Sequence, residues 1–166
     1  MRGERNAQYE LYQAYAKAMY NVCLRIVANS TDAEDILQES FLDAFSKLNT
    51  FRHESSFGAW LKKIVVNRSV SHLRKKKLVL VEAVPENEDT AYDQTYIDEH
   101  SQWEVKRVYN AINKLPDGYR IVLSLYLLEG YDHAEIGEIL NVTESTSKSQ
   151  YSRAKKQLVE LLNKKP

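Results

Sequence analysis

Gly130-Tyr131-Asp132-His133-Ala134-Glu135-Ile136-Gly137-Glu138-Ile139-Leu140-Asn141-Val142-Thr143 runs directly into Glu144-Ser145-Thr146-Ser147-Lys148-Ser149-Gln150-Tyr151-Ser152-Arg153-Ala154-Lys155-Lys156. Ile136, Ile139 and Leu140 give the first segment one apolar edge at helical spacing. Asn141-Val142-Thr143 reads as a tight turn, and Thr143 can cap the next helix by accepting from its free N–H groups. Two helices joined this way form a helix–turn–helix, which sets the N-terminus of its second helix into a DNA major groove.

The second helix divides cleanly at about 100° per residue. Tyr151, Ala154, Leu158, Leu161 and Leu162 share an arc suited to packing on preceding helices. Ser145, Lys148, Ser149, Ser152, Arg153 and Lys156 lie opposite, as phosphate and base-edge donors with no acid before Glu160. A solvated surface helix would also carry lysines; the short helix and turn in front favour a duplex.

Composition bounds the rest. The 166 residues suit one or two small domains, with 43% hydrophobic and 28% charged residues. Apolar runs last only a few residues, so no membrane span is expected, and the charged start carries no secretory leader pattern. Cys23 is the only cysteine, which excludes an internal disulfide, and its apolar helical neighbours make it a packed thiol. A reducing, cytoplasmic compartment is expected. Net charge is zero, but residues 1–77 hold 13 Lys/Arg against 8 Asp/Glu, residues 78–104 hold 8 acids and no base, and residues 105–166 hold 10 bases against 7 acids. Two basic modules flank an acidic stretch, so averaging hides the field a polyanion meets locally.

Every strong period is helical. Helices are predicted over residues 5–28, 32–48, 56–76, 96–114 and 118–128, followed by the helix–turn–helix. Asn29-Ser30-Thr31 caps the second, 49–55 form a loop, and Pro116 starts the helix after 115. The segment from Val79 to about Thr95, with Pro85 and many acids, reads as a linker. The predicted fold is all-α: a domain over 1–77, an acidic flexible linker over 78–97, and a second domain over 98–166 containing the helix–turn–helix.

In the second helix, Ala33, Leu37, Phe41, Ala44, Phe45 and Leu48 form a core stripe. Asp32, Asp35, Glu39 and Asp43 form an acidic one flanked by Ile36 and Leu42. The helix dipole explains acids in the first turn but not Glu39 and Asp43, which suit a basic protein partner. A carboxylate metal site fits the spacing, yet no histidine joins the four acids, and no metal or other cofactor is expected. The third helix has two apolar faces: Phe57, Trp60, Leu61, Ile64 and Val65 on one, Val66, Val70 and Leu73 on the other. Between them Lys63, Asn67, Ser71 and Arg74 line one stripe, and Arg74-Lys75-Lys76-Lys77 exceeds what a helix dipole needs, which favours a nucleic-acid backbone. The loop Thr50-Phe51-Arg52-His53-Glu54-Ser55-Ser56 can hold an unstacked base, with Phe57 and Trp60 better suited to the core and His53 beside Glu54 a solvated pair.

These features together resemble a bacterial RNA polymerase sigma factor of the small, two-domain extracytoplasmic-function group of the sigma-70 family. Asp32 to Phe41 looks like that family's polymerase-binding segment, and Phe57 to Asn67 with Leu73-Arg74-Lys75 looks like its promoter-melting helix. Leu115-Pro116 through Lys156 looks like its minus-thirty-five-reading domain. The resemblance implies that Asp32, Asp35, Gln38, Glu39, Leu42 and Asp43 dock on core RNA polymerase. It implies that Phe51, Arg52, Lys63, Asn67, Ser71, Arg74 and Lys75 contact the minus-ten strand, capturing a flipped base. Thr143, Ser145, Thr146, Lys148, Ser149, Ser152, Arg153 and Lys156 would face the minus-thirty-five promoter duplex. An anti-sigma factor is implied as a partner by analogy alone. The sequence departs from the family where it carries Ser71 in place of an acid, Ser147 in place of an apolar residue and Gln150 in place of an arginine.

Two other readings compete. A free-standing helix–turn–helix regulator with a sensing domain needs neither the acidic stripe nor the Lys63–Arg74 stripe. An enzyme with a carboxylate metal site predicts metal-dependent stability, but the chain has no phosphate loop or catalytic triad, and no enzymatic activity is expected.

Overall fold

A computed structural model describes residues 2–80 and 99–163, with side chains over 5–76 and 104–163. The described chain is helical throughout its regular elements: α1 (Arg2–Val27), α2 (Ser30–Ser46), a 3₁₀ turn (Leu48–Thr50), α3 (Phe57–Leu80), α4 (Glu99–Asn113), α5 (Asp117–Leu127), α6 (His133–Leu140) and α7 (Glu144–Asn163). It divides into two units, residues 1–90 and 91–166. The predicted linker falls almost wholly outside the described residues, except that α3 continues to Leu80, past the expected boundary at residue 77.

In the first unit α1, α2 and α3 each pack on the other two. Asn29 starts α2 by accepting the Asp32 N–H at 2.9 Å, and Ser56 Oγ starts α3 by accepting the Ala59 N–H at 3.2 Å. Cys23 and Ile26 of α1, Ala33, Phe41 and Ala44 of α2, and Leu61, Val65 and Val66 of α3 build the core. Two expectations for α2 are corrected. Ile36 is buried rather than flanking a docking surface, and Leu48 is exposed, in the 3₁₀ turn rather than in the core. Neighbours on two sides widen the buried arc of α2 beyond the single stripe that periodicity picks out.

In the second unit Ala111, Ile112, Leu115, Leu123, Ala154 and Leu158 form the core, with Tyr119, Leu161 and Leu162 packed against it. The helix–turn–helix is held by local bonds. Asp132 accepts the Glu135 N–H and Glu135 Oε2 accepts the Asp132 N–H, each at 2.8 Å, closing a capping box on α6. Asn141 ends α6 in the left-handed region (φ 54°), and Thr143 Oγ1 accepts the Thr146 N–H at 3.1 Å. Gly137 is required by contact: a Cβ there would stand 2.8 Å from the Val142 carbonyl oxygen.

Candidate functional site

The acidic face of α2 is not a bare row of carboxylates. Arg68 of α3 reaches across, donating from Nε to Asp43 Oδ2 at 2.7 Å and from a second nitrogen to the same oxygen, while its third nitrogen meets Glu39 Oε2 at 2.5 Å. One turn on, His72 Nε2 lies 3.2 Å from Asp32 Oδ2, and Lys76 Nζ reaches that oxygen at 3.0 Å. His72 thus approaches one acid, Asp32, while Arg68 and Lys76 form an ion-pair ladder across the face, and among the described residues no group of three or more His, Cys, Asp or Glu side chains gathers as metal ligands. Asp35 and Gln38 stay exposed, and Leu42 is 70% exposed, so an apolar residue stands among them unshielded. Arg68, His72 and Lys76 were missed as partners of this face. Their spacing of four was legible, but which helix they would cover was not.

The α3 stripe is as expected in exposure. Lys63, Asn67, Ser71, Arg74 and Lys75 all face outward, while Leu61, Val65, Val66 and Val70 are buried behind them. At the N-terminal end of α3 the loop closes an aromatic cluster. Phe51 is half-buried, with ring centroids 5.2 Å from Trp60, 6.0 Å from Phe57 and 4.5 Å from His53. His53, at φ 58°, and Glu54 are both exposed, and the His53 ring also lies against Phe51. An open cleft of ≈ 540 Å³ lies here, lined by Leu11, Leu48, Phe51, His53, Ser55, Ser56 and Phe57. Arg52 is exposed beside it.

On α7, Ser145, Lys148, Ser149, Ser152, Arg153 and Lys156 are exposed, and Ala154 and Leu158 are buried on the opposite side. Three hydroxyls are engaged locally. Thr143 Oγ1 and Thr146 Oγ1 lie 2.8 Å apart, and Ser149 Oγ donates to the Ser145 carbonyl at 2.9 Å. An acid does stand on this face ahead of Glu160: Glu144 Oε1 is 2.6 Å from Lys148 Nζ, and that bond raises the ammonium's pKa above its ordinary value. Ser147 is fully buried, its hydroxyl 3.0 Å from His133 Nδ1. The His133 ring stacks on Tyr126 at 4.5 Å and meets Tyr151 edge-on at 5.5 Å. A polar residue at an apolar position is thus matched by a partner from α6, a pairing no spacing within α7 could reveal.

The chain matches two family models, Sigma-70 region 2 over residues 11–79 and Sigma-70 region 4 over residues 106–158. It is 30% identical to the ECF RNA polymerase sigma factor SigW of Bacillus subtilis, over 95% of this chain and 89% of that one. The chain belongs to the extracytoplasmic-function RNA polymerase sigma factors. SigM of the same organism is also 30% identical, over 93% of this chain and 94% of the relative. Among solved structures, the sigma factor RpoE of Bartonella quintana, in complex with the anti-sigma factor NepR, has the same fold. Its TM-score is 0.68 at 23% identity, covering 95% of this chain and 98% of that one. The region 2 match contains both the α2 acids and the α3 stripe, and the region 4 match contains the helix–turn–helix. This sigma factor therefore directs promoter-specific transcription initiation by RNA polymerase, and the free-standing regulator is set aside. Among the described residues no helix is long and apolar enough to cross a membrane.

Proposed function

We propose that the two units divide the promoter between them, residues 1–77 docking on core polymerase and opening the minus-ten element, and residues 98–166 reading the minus-thirty-five duplex. The observation that carries the division is the exposure of Lys63, Asn67, Ser71 and Arg74 along α3, the helix whose N-terminal end lines the Phe51 cleft. A base leaving the duplex meets an aromatic wall there while its backbone runs past exposed donors, and stacking on such a wall stabilises an unpaired base by roughly 1–3 kcal/mol. Melting then follows from binding the open strand, with no covalent step and no cofactor.

Asp32, Asp35, Gln38, Glu39, Leu42 and Asp43 form the docking face. Asp35, exposed and outside the ion-pair ladder, is its most available anion, with Leu42 as the apolar contact. Thr143, Ser145, Thr146, Lys148, Ser149, Ser152, Arg153 and Lys156 face the duplex. The protein acts in the cytoplasm, where polymerase and promoter are. An anti-sigma partner is proposed from the family likeness alone, the complex named above being its motivation.

Run-off transcription with core polymerase and genomic fragments tests the reading. A product that requires this chain, lost with Asp35→Lys and with Asn67→Ala plus Arg74→Ala, is expected. Core affinity unchanged by Asp35→Lys with Leu42→Ala would remove the docking assignment.

A further inference from the structure

We propose that Glu144 and Lys148 act as one acceptor–donor pair that reads a C·G base pair in the major groove, making Glu144 a specificity-determining residue. The proposal rests on the reading of α7 as the duplex-facing helix.

Three observations lead to it. Glu144 is the first residue of α7, the end that meets base edges when such a helix enters the groove. Its carboxylate holds the Lys148 ammonium at 2.6 Å while both side chains remain more than half exposed, so the pair is formed yet accessible. The competing polar groups at that end are spent or short. The Thr143 and Thr146 hydroxyls meet each other, Ser149 donates back to its own helix, and half-buried Gln150 sets its Oε1 over Gly118 of α5. Arg153 stands nine residues on, about 13 Å along the axis at roughly 1.5 Å per residue, and suits a phosphate.

Charge then decides what the pair reads. A carboxylate is repelled by phosphates, and by neutralising Lys148 it weakens that lysine as a phosphate clamp. What remains for it in a major groove is an amino group, and cytosine N4 is the usual partner of an acid; the ammonium beside it matches guanine O6 and N7. The pair thus exchanges sequence-independent affinity for discrimination at one base pair.

The test uses the full chain with core polymerase and a duplex library randomised over the minus-thirty-five element. The wild type should select a C·G pair at one position. Glu144→Gln, which keeps the length and removes the charge, should lose about tenfold of the preference at that position only, and Lys148→Ala should relax the same position. Glu144→Gln should also steepen the salt dependence of duplex binding by about one unit of slope as Lys148 turns to a phosphate. Preferences unchanged at every position, or relaxed equally at all, would overturn the proposal. Arg153→Ala separates the levels: if it too leaves duplex binding unchanged, α7 is not the reader; if it weakens binding while Glu144→Gln changes nothing, only the role of the pair fails.

Discussion

Arg68 on α3 clasps Asp43 on α2, with Nε 2.7 Å from Oδ2. The same guanidinium meets Glu39, so one cation occupies two acids of the proposed docking face. Replacing it with glutamine leaves Asp43, only 30% exposed, without its main partner. Arg68→Gln should therefore cost about 1 kcal/mol of stability in urea titrations. It should also leave the face one unit more negative, so association with core polymerase should speed up several-fold at low salt and return towards wild type at high salt. Stopped-flow mixing at two ionic strengths measures this; slower association by a folded variant would make Arg68 itself a docking residue.

Two glycines separate backbone crowding from side-chain crowding. A Cβ at Gly137 meets the Val142 carbonyl oxygen at 2.8 Å, inside the turn that aims α7. A Cβ at Gly58 meets Tyr15 Cε1 at 2.7 Å, a ring edge that can swing. Overpacking costs roughly 1–3 kcal/mol, and Gly137→Ala should fall at the upper end. It should abolish duplex selection while circular dichroism still reports helices. Gly58→Ala should cost less and leave duplex binding intact. Equal losses in thermal melts would contradict the distinction.

The contrast between α2 and α7 shows how far sequence reading reaches. Periodicity placed the buried Ala154 and Leu158 opposite the exposed Lys148 and Arg153, because α7 has neighbours on one side and a single period separates its faces. On α2 the same rule misplaced Ile36, because two neighbouring helices widen the buried arc, and Leu48, because α2 ends at Ser46 before reaching it. Caps at Asn29, Thr143 and Ser56 are local chemistry and were legible at Asn29 and Thr143. Arg68 with Asp43, 25 residues apart, and Ser147 with His133 depend on how helices are set against each other, which local patterns do not encode. The aromatic and basic character of the loop around Phe51 was legible in residue type, but the contact of His53 with Phe51, at a left-handed backbone, was not.

Cys23 makes the first unit sensitive to alkali. Burial pushes its thiol up from 9.0 to about 12, only partly offset by the hydrogen bond with Ser69. A folded pKa above the unfolded one means that stability is complete below pH 9 and is lost as pH rises towards 12, while the unfolded thiolate is favoured. The loss should approach ~1.4 kcal/mol per pH unit within that window. Denaturant titrations at pH 8 and pH 10.5 should show the decline, and Cys23→Ala, less stable at pH 8, should decline less steeply. Native protein should also resist a maleimide at neutral pH and react once unfolded.

The loop that carries Phe51 offers the sharpest test of strand capture. Phe51 touches Trp60, Phe57 and His53, so Phe51→Ala removes the wall against which a base would stack. Loss of one stacking contact is worth about 1–3 kcal/mol, so open-complex formation should fall at least about fivefold while core affinity is unchanged. His53 needs a different substitution. Its φ of 58° favours glycine, so His53→Gly keeps the backbone relaxed and removes only the imidazole ring. Because Phe51 still has Trp60 and Phe57 behind it, His53→Gly should reduce opening less than Phe51→Ala. Permanganate reactivity of minus-ten thymines, with run-off yield, reads both effects. If Phe51→Ala opened promoters as well as wild type, the cleft would not hold the base, and the exposed Asn67–Arg74 stripe would have to capture the strand through its backbone alone.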